Sequence, residues 1–293
     1  RASLRAAHPL ELPVVQTFHA LGVVKRRHQG RADTSPPERV GEERHIVAAA
    51  DHILVTCSDE LFEVIRLGGD RARISVVPCG VEVASFRPQG PRMRRTRGMR
   101  RVVIVTRLVA RKGVGEAIQA IAAVPDCELV IAGGPPASAL DADPAYRDFM
   151  ALARASGVSE RVRFLGAVEH EKIPALLRSA DLVACVPWYE PFGMVAVEAM
   201  ACGVPVVATA VGGLVDTVVD RVTGLHVPPR DPQAIARALS MLLERAPLRE
   251  AMGGAGAARA AAHYGWPQVA RATRDVYERV LSRPVARSEE AGA

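Results

Sequence analysis

The sequence predicts an α/β protein with two Rossmann-like domains, in which parallel strands alternate with helices. Nine short apolar runs of strand length are separated by segments that contain helix-start and helix-stop residues. Strands separated by helices pair in parallel through right-handed crossovers. An arginine-rich stretch from Arg92 to Arg101 divides the runs into a group of three and a group of six. Three strands are half of a doubly wound sheet, so the first domain is expected to be incomplete and to lack a preceding β/α portion of about 100 residues.

The first group of strands is predicted at Val14–Thr17, Ile53–Thr56 and Ile74–Val77. A helix is expected after Ser35 and Pro36 and through Ala50. Another begins at Ser58, where two acidic residues follow in the first turn and favour the helix dipole. We assign residues 1–90 to this domain and residues 91–101 to a basic linker.

The second group forms a complete Rossmann-like domain over residues 102–264. Its six strands are predicted at Val102–Thr106, Glu128–Ala132, Val162–Leu165, Leu182–Val186, Val206–Ala208 and Leu225–Val227. Two of its helices begin with an aspartate cap followed by proline, at Asp143 and at Asp231. The closing helices are expected at about Leu248–His263 and Pro267–Leu281, and residues 265–293 form the last helix and a tail.

Composition limits the classes of protein. With 293 residues, 49% of them hydrophobic, the chain can bury a sizeable core in two domains. Its five cysteines form no C-x-x-C pair and no cluster at metal-ligand spacing, which favours reduced thiols in the cytoplasm. No apolar run is long enough to span a bilayer, and the amino terminus lacks a signal-peptide pattern.

The net charge of +6 favours anionic partners, but much of the excess lies in Arg92–Arg101. Such a run is typical of a solvated linker, and contact with an anionic membrane surface or an acidic acceptor is the alternative. Nucleic acid is not expected as a partner, because aromatic residues make up only 4% of the chain and cannot form a stacking platform.

The most informative stretch is a strand, loop, helix and strand between Ala184 and Pro229. The loop after the strand ends at Phe192 and Gly193, where a helix begins and presents unpaired N–H groups to an anion. Glu190 lies on the loop, and Glu198 lies about 7–8 Å along the helix at ~1.5 Å per residue. Carboxylates accept hydrogen bonds only, which suits paired sugar hydroxyls.

A second loop holds two cations. Arg107, Lys112 and Gly113 follow the strand at Val102–Thr106 and precede a helix. Arginine binds a phosphate bidentately and lysine adds a point charge, so this loop suits a diphosphate. Arg111 is expected to face solvent. After the next strand, Gly133 and its neighbour permit either a close approach to a ligand or a simple turn.

These motifs resemble the family 4 retaining GT-B glycosyltransferases. The sequence E-PFGMVAV-E from Glu190 to Glu198, with the following A-CG-PVVAT-VGG run, is similar to the family's E-x7-E motif, and Arg107 to Gly113 is similar to its R-L-x-x-x-K-G motif. The resemblance implies a GT-B fold whose last helix crosses back to the first domain. It also implies transfer of a hexose, with retention, from a UDP- or GDP-linked donor to a hydroxyl acceptor, forming an α-glycosidic bond.

The resemblance assigns roles to individual residues. Arg107 and Lys112 would neutralise the leaving diphosphate without a metal, and Glu190 and Glu198 would bind the donor hexose and the ribose. His19, in an H-A-L-G-x-x-K pattern similar to that of sucrose-phosphate synthase-like members, would face the donor from the first domain, although a lone histidine is more often structural. The remaining substrate-binding candidates lie in the loops and at the helix start that would border the donor crevice: Phe192, Gly193, Met194, Val195, Gly166, Val168, Gly133 and Gly213.

Two alternatives stay open from the sequence. A GT-B nucleotide-sugar epimerase or a phosphorylase would share the crevice but not the acceptor site. A non-catalytic fragment would bind the donor through the second domain and transfer nothing. The sequence does not identify the hydroxyl acceptor, for which a sugar, a polyol and a lipid-linked group are the candidates. We expect a cytoplasmic protein, and peripheral contact with the inner face of the membrane is the alternative.

Overall fold

The computed structural model describes residues 2–30 and 33–282. The chain divides into two compact units, one made of Arg1–Pro78 with Pro267–Ala293 and the other of Cys79–Trp266. The tail expected over 283–293 lies outside the described residues. In the described part of the chain, no helix combines the length and the apolar character needed to cross a membrane.

The first unit contains a parallel sheet in the order β1-β2-β3. Its strands are β1 (Val15–Thr17), β2 (His52–Val55) and β3 (Ile74–Val76), each within two residues of its predicted bounds. Its helices are α1 (Ala2–Ala7), α2 (Gly22–Gln29), α3 (Arg39–Ala49) and α4 (Ser58–Arg66), and the last helix of the chain, Trp266–Leu281, buries Val276 and Val280 against Leu54 and Val77 of this unit.

The second unit contains the six-stranded parallel sheet that the apolar runs predict. Its strands are β4 (Arg100–Val105), β5 (Cys127–Ala132), β6 (Val162–Gly166), β7 (Leu182–Cys185), β8 (Val206–Thr209) and β9 (Gly224–Val227). Their spatial order is β6-β5-β4-β7-β8-β9, so successive strands extend outwards from β4 on one side and from β7 on the other. In open α/β sheets, ligands bind at the carboxyl ends of the strands where the order reverses, which here is between β4 and β7.

The helices of this unit follow the predicted start signals. They are α5 (Val114–Ala122), α6 (Pro144–Ala155), α7 (Ile173–Arg178), α8 (Met194–Ala201), α9 (Leu214–Thr217), α10 (Pro232–Glu244) and α11 (Ala246–His263). The closing helix, α12 (Trp266–Leu281), is the one that packs in the first unit. Asp143 caps α6 by accepting from the N–H of Tyr146 at 2.9 Å, and Asp231 caps α10 by accepting from the N–H of Ala234 at 2.8 Å. Both predicted aspartate caps are therefore confirmed.

The second unit is buried on both faces of its sheet. Along β4, Val102 and Ile104 pack into one apolar cluster and Val103 into the other. This alternation is the two-residue period of a strand with a hydrophobic layer on each side. Because helices cover both faces of the sheet, a ligand can reach its strands only at their ends, where the loops present polar atoms.

The expectation that Arg92–Arg101 is a solvated linker is wrong at its carboxyl end. Arg101 lies inside β4 with only 2% of its surface exposed, and its Nε lies 2.6 Å from Oε1 of Glu128 on β5. Its guanidinium also donates to Oγ of Ser179 at 2.9 Å, and Arg95 pairs with Asp181. A composition count cannot detect these carboxylates, which neutralise arginines from distant positions in the sequence.

Candidate functional site

The loops after β4 and β7 enclose a cavity of about 410 Å³. It lies where the strand order reverses, as expected for a ligand crevice in this class of sheet. Most of the predicted site residues line it together, namely Arg107, Lys112, Gly133, Val168, Glu190, Gly193, Met194 and Val195. The structure therefore brings the two motifs identified in the sequence to one space.

Gly113 brings the β4–α5 loop close to the end of β7. Its φ is +75°, a backbone conformation that residues with a side chain rarely adopt. A Cβ atom here would lie 1.9 Å from the carbonyl oxygen of Val186, so the approach of the two loops requires glycine. Lys112 immediately precedes this contact and thereby reaches the cavity.

Lys112 and Glu190 form an ion pair in the cavity wall. Nζ of Lys112 lies 2.5 Å from Oε2 of Glu190, although the residues are 78 positions apart. Their side chains are 17% and 21% exposed, so the pair is partly withdrawn from water. The cation predicted to bind a phosphate and the carboxylate predicted to bind sugar hydroxyls are thus direct neighbours.

The start of α8 has no capping side chain. Its N-cap is Gly193, whose φ of +97° is a backbone conformation that residues with a side chain rarely adopt. The N–H groups of Ala196 and Val197 donate to the carbonyl oxygen of Gly193. Met194 and Val195 occupy the first positions of the helix, where N–H groups have no intrahelical partner, and both line the cavity. This helix start can receive an anion.

Arg111 differs from its prediction as a solvent-facing charge. It is half-buried, and burial lowers the pKa of its guanidinium; the nearby positive charge of Arg107 lowers the pKa further, while Glu190 opposes the shift. Arg107 lines the cavity and is exposed. The loop therefore places three cationic side chains close to one carboxylate, which favours an anionic ligand.

Five predicted residues lie outside the cavity lining, and four of them belong to the second unit. Phe192 is buried and packs edge-on against Tyr264 at 5.9 Å between ring centroids. Gly213 donates its N–H to the carbonyl oxygen of Glu190 at 3.0 Å, and Gly166 accepts from the N–H of Gly133 at 2.7 Å, so both support lining residues. Glu198 is only 8% exposed on α8, and this burial raises its pKa to about 7 while the charge of His170 opposes the shift.

His19 belongs to the first unit, so its role opposite the donor stays a prediction. It follows β1, is exposed and has a φ of +39°. Lys25, in the same predicted motif, lies 3.2 Å from Oδ1 of Asp33 and donates to Oγ of Ser35. Hydrogen bonds from Ser35 and the charge of Lys25 lower the pKa of Asp33 to about 2.

Sequence reasoning missed two features of the site. Cys185, the last residue of β7, lines the cavity, and burial raises the pKa of its thiol to about 12. Trp188 lies in the loop between β7 and α8 and contacts the β4–α5 loop. The position of Cys185 at the end of a predicted strand could have indicated the first feature. Nothing local in the sequence indicates the partners of Trp188.

A group of histidine, cysteine, aspartate and glutamate side chains that could hold a metal ion is not found among residues 2–30 and 33–282. The positive charge near the cavity is supplied by Arg107, Arg111, Lys112 and the helix start. These cations and the carboxylate of Glu190 can together bind a ligand that carries both phosphate groups and hydroxyls.

Comparisons with known proteins agree with this geometry. Residues 94–259 match the family described as Glycosyl transferases group 1, and residues 1–85 match the one described as Glycosyltransferase Family 4. Two relatives are named D-inositol 3-phosphate glycosyltransferase. The protein from Salinispora tropica is 39% identical over 91% of this chain and 59% of its own length, and that from Xylanimonas cellulosilytica is 36% identical over 98% and 71%. The chain thus spans about 60–70% of these relatives.

Solved structures share the fold. Sucrose-phosphate synthase from Thermosynechococcus elongatus has a TM-score of 0.82 at 29% identity, covering 95% of this chain and 71% of its own. Anabaena HepE, solved with UDP and glucose, has a TM-score of 0.77 at 22% identity, covering 96% and 74%. The predicted fold class, α/β with parallel sheets as in GT-B glycosyltransferases, is confirmed.

Proposed function

Because this chain belongs to the glycosyl transferases group 1 family, we propose that it transfers a hexose from a nucleotide diphosphate sugar to a hydroxyl acceptor, with retention at the anomeric carbon. The observation that supports this most strongly is the cavity between β4 and β7. There Arg107, Lys112 and the uncapped start of α8 surround one space, and Glu190 lies beside Lys112.

In the proposed reaction the diphosphate rests against the start of α8. The bond between the anomeric carbon and the diphosphate oxygen breaks, and negative charge develops on the leaving group. Arg107, Lys112 and the helix N–H groups stabilise that charge, which is usually the largest contribution to catalysis of such a step. A metal ion is not needed for this neutralisation.

The acceptor hydroxyl attacks from the face that the diphosphate leaves. Its oxygen forms the new bond to the anomeric carbon, and its proton moves to the leaving phosphate oxygen, which gives an α-linked product. In this proposal Glu190 accepts hydrogen bonds from the donor hexose, and Glu198 accepts them from the ribose. His19 would contribute from the first unit.

The acceptor and the compartment are also proposals. The names of the two relatives suggest a polyol phosphate as the first acceptor to test, followed by sugars and lipid-linked hydroxyls. We propose a cytoplasmic location. Contact with an anionic inner membrane surface would use the exposed arginines of the run, Arg92, Arg94, Arg97 and Arg100.

A panel of nucleotide sugars tests the donor. We expect UDP or GDP sugars to raise the unfolding temperature, because a ligand at about 100 times its Kd adds about 2.7 kcal/mol to the free energy of unfolding. Product analysis with a polyol phosphate then distinguishes transfer from epimerisation. If no nucleotide diphosphate or its sugar stabilises the protein, the proposal is wrong.

A binding-only protein is the second candidate, favoured by the fraction of its relatives that the chain spans. Calorimetric titration with UDP and GDP separates it from a transferase. Binding without turnover in this chain, together with turnover in a longer chain, would support the binding-only reading of the 293 residues.

A further inference from the structure

Trp188 connects the two loops that hold the candidate catalytic groups. Its backbone N–H donates to the carbonyl oxygen of Arg111 at 2.9 Å, and its indole Nε1 donates to Oε1 of Glu116 at 2.6 Å. Arg111 directly precedes Lys112, and Glu116 lies in the first turn of α5. The loop after β7 is therefore joined to both ends of the segment that contains Lys112.

A third contact comes from the loop after β9. The guanidinium carbon of Arg230 lies 3.9 Å from the centroid of the Trp188 ring, within the range of a cation–π interaction. Arg230 has a φ of +59° and directly precedes Asp231, the cap of α10. The indole is thus bonded at its edge by Glu116 and covered on one face by Arg230.

The neighbouring residue in the loop is also fixed. Oγ1 of Thr209, at the end of β8, donates to the carbonyl oxygen of Pro187 at 2.7 Å. Pro187 lines the cavity, whereas Trp188 does not. Trp188 therefore holds the loop from outside the cavity lining.

The contacts of Trp188 bear on the spacing of Lys112 and Glu190. Lys112 is one residue from Arg111, and Glu190 is two residues from Trp188. The 2.5 Å ion pair between them forms only if the two loops keep their separation. The ion pair itself lies in the cavity wall, where a bound ligand can replace either partner. It therefore cannot fix the distance between the two loops once a ligand binds. The Trp188 contacts lie outside the cavity and can persist.

We propose that Trp188, bonded to Glu116 and stacked under Arg230, is a positioning residue that sets the distance between the Lys112 loop and the Glu190 loop. This inference rests on the proposed function: the distance between the loops determines whether one donor can contact Lys112 through its diphosphate and Glu190 through its hexose. A shift of about 1 Å in such groups can lower turnover about 100-fold.

The test uses the full chain and the variants Trp188→Phe, Glu116→Ala and Glu116→Gln. Trp188→Phe keeps a ring under Arg230 but removes the indole donor, and Glu116→Gln keeps a side-chain oxygen that can accept from it. We expect faster amide hydrogen exchange in residues 107–113 for Trp188→Phe and Glu116→Ala, with near-normal exchange for Glu116→Gln. The rescue by glutamine distinguishes the hydrogen bond from general packing.

Donor kinetics supply the second measurement. We expect kcat to fall about tenfold or more in Trp188→Phe and Glu116→Ala, with a smaller rise in KM for the donor, because orientation is lost more than contact. Trp266→Phe is the matched control, since it replaces the other tryptophan of the chain, which is half exposed at the start of α12. Its exchange and kinetics should equal those of the unchanged protein.

The outcomes separate the inference from the proposed function. Unchanged exchange over residues 107–113 in both Trp188→Phe and Glu116→Ala overturns the positioning role, whatever the donor kinetics. Equal losses in Glu116→Gln and Glu116→Ala also overturn it. If the unchanged protein binds neither UDP nor GDP, the proposed function fails, and the exchange rates alone decide whether Trp188 joins the loops.

Discussion

The ion pair of Lys112 and Glu190 directly joins the two sequence motifs. A lysine that is held by a carboxylate is oriented before a phosphate arrives, and its partner is an acceptor for sugar hydroxyls. In the proposed site one pair thus serves two parts of the donor. This arrangement predicts that the two side chains are coupled in donor binding, although their individual roles differ.

Replacing Lys112 by alanine tests the phosphate contact. We expect the Kd for UDP to rise about 10- to 100-fold, since a hydrogen bond to a charged group contributes about 1.5–3 kcal/mol. Calorimetric titration measures this change. Lys172→Ala is the matched control, because Lys172 pairs with Glu169 at 2.8 Å but is exposed outside the cavity. Equal UDP affinities for the two variants would contradict the role of Lys112.

Arg107→Ala tests charge stabilisation on the leaving diphosphate. We expect kcat to fall about 100- to 1000-fold, as for the loss of one donor to a developing oxyanion, with an unchanged unfolding temperature because Arg107 is exposed. Initial rates of transfer and a thermal scan are the measurements. The control is Arg221→Ala, whose side chain is 84% exposed. Near-normal turnover in folded Arg107→Ala would refute its role.

The burial of Glu198 predicts that the free energy of unfolding depends on pH. Burial raises its pKa to about 7 in the folded protein, above the unfolded value near 4.5, so the folded state binds more protons between these pH values. Its contribution to stability is complete below about pH 4.5 and is lost as pH rises through about 7.

The variant Glu198→Gln removes this titration. We expect its free energy of unfolding, relative to that of the unchanged protein, to rise between pH 5 and pH 8 by about 2–3 kcal/mol, because each pKa unit corresponds to about 1.4 kcal/mol and most of the shift lies in this range. Urea unfolding at several pH values measures the difference. A difference that is constant over this range would show that Glu198 does not titrate there.

At the scale of elements, the buried arginine of β4 connects two strands. Arg101 and Glu128 are each 2% exposed in their side chains and lie on adjacent strands in direct contact. Burial raises the pKa of Glu128, but hydrogen bonds from Thr96 and Arg101 outweigh burial and leave the pKa below its usual value. The carboxylate is therefore charged and neutralises the arginine.

Removing that carboxylate should destabilise the sheet. We expect Glu128→Ala to lower the free energy of unfolding by about 3–5 kcal/mol, because an uncompensated charge is left buried. Denaturant unfolding measures this loss. Glu169→Ala is the control, because Glu169 is exposed and its replacement should leave the denaturant concentration at the unfolding midpoint unchanged. Replacing both partners by apolar residues should recover much of the loss, and a loss equal to that of Glu128→Ala alone would contradict the explanation.

The loops between elements determine how much of the site the sequence could predict. Strands such as Leu182–Cys185 are continuous apolar runs, and helix starts at Asp143 and Asp231 have local signals, so the order of elements was predictable. The cation motif at Arg107 and Lys112 was likewise visible because its residues are adjacent in the chain. Their placement beside Glu190 follows from parallel strands whose carboxyl ends meet at one edge.

Contacts between distant side chains were not predictable. The bonds from Trp188 to Glu116 and from Arg101 to Glu128 join residues 72 and 27 positions apart. No local periodicity encodes such a pair, because it depends on which strands become neighbours and on how each loop turns. The backbone hydrogen bond from Trp188 to Arg111 joins the same two loops and has the same origin.

At the scale of the whole molecule, the residues proposed to bind the donor and those proposed to affect transfer to the acceptor lie in different units. The cavity with Arg107, Lys112 and Glu190 lies within the second unit alone, so we expect donor binding to depend on that unit. His19 and Lys25 belong to the first unit, and their variants should alter transfer to the acceptor more than UDP binding. Titration and transfer rates on the same protein distinguish these effects.

A crystal structure of the chain with UDP shows directly whether a diphosphate occupies the cavity. We expect the diphosphate to lie at the start of α8, with its oxygens within about 3.2 Å of the N–H groups of Gly193 or Met194 and of Nζ of Lys112. A diphosphate bound elsewhere, with Lys112 and Arg107 making no contact to it, would contradict the account.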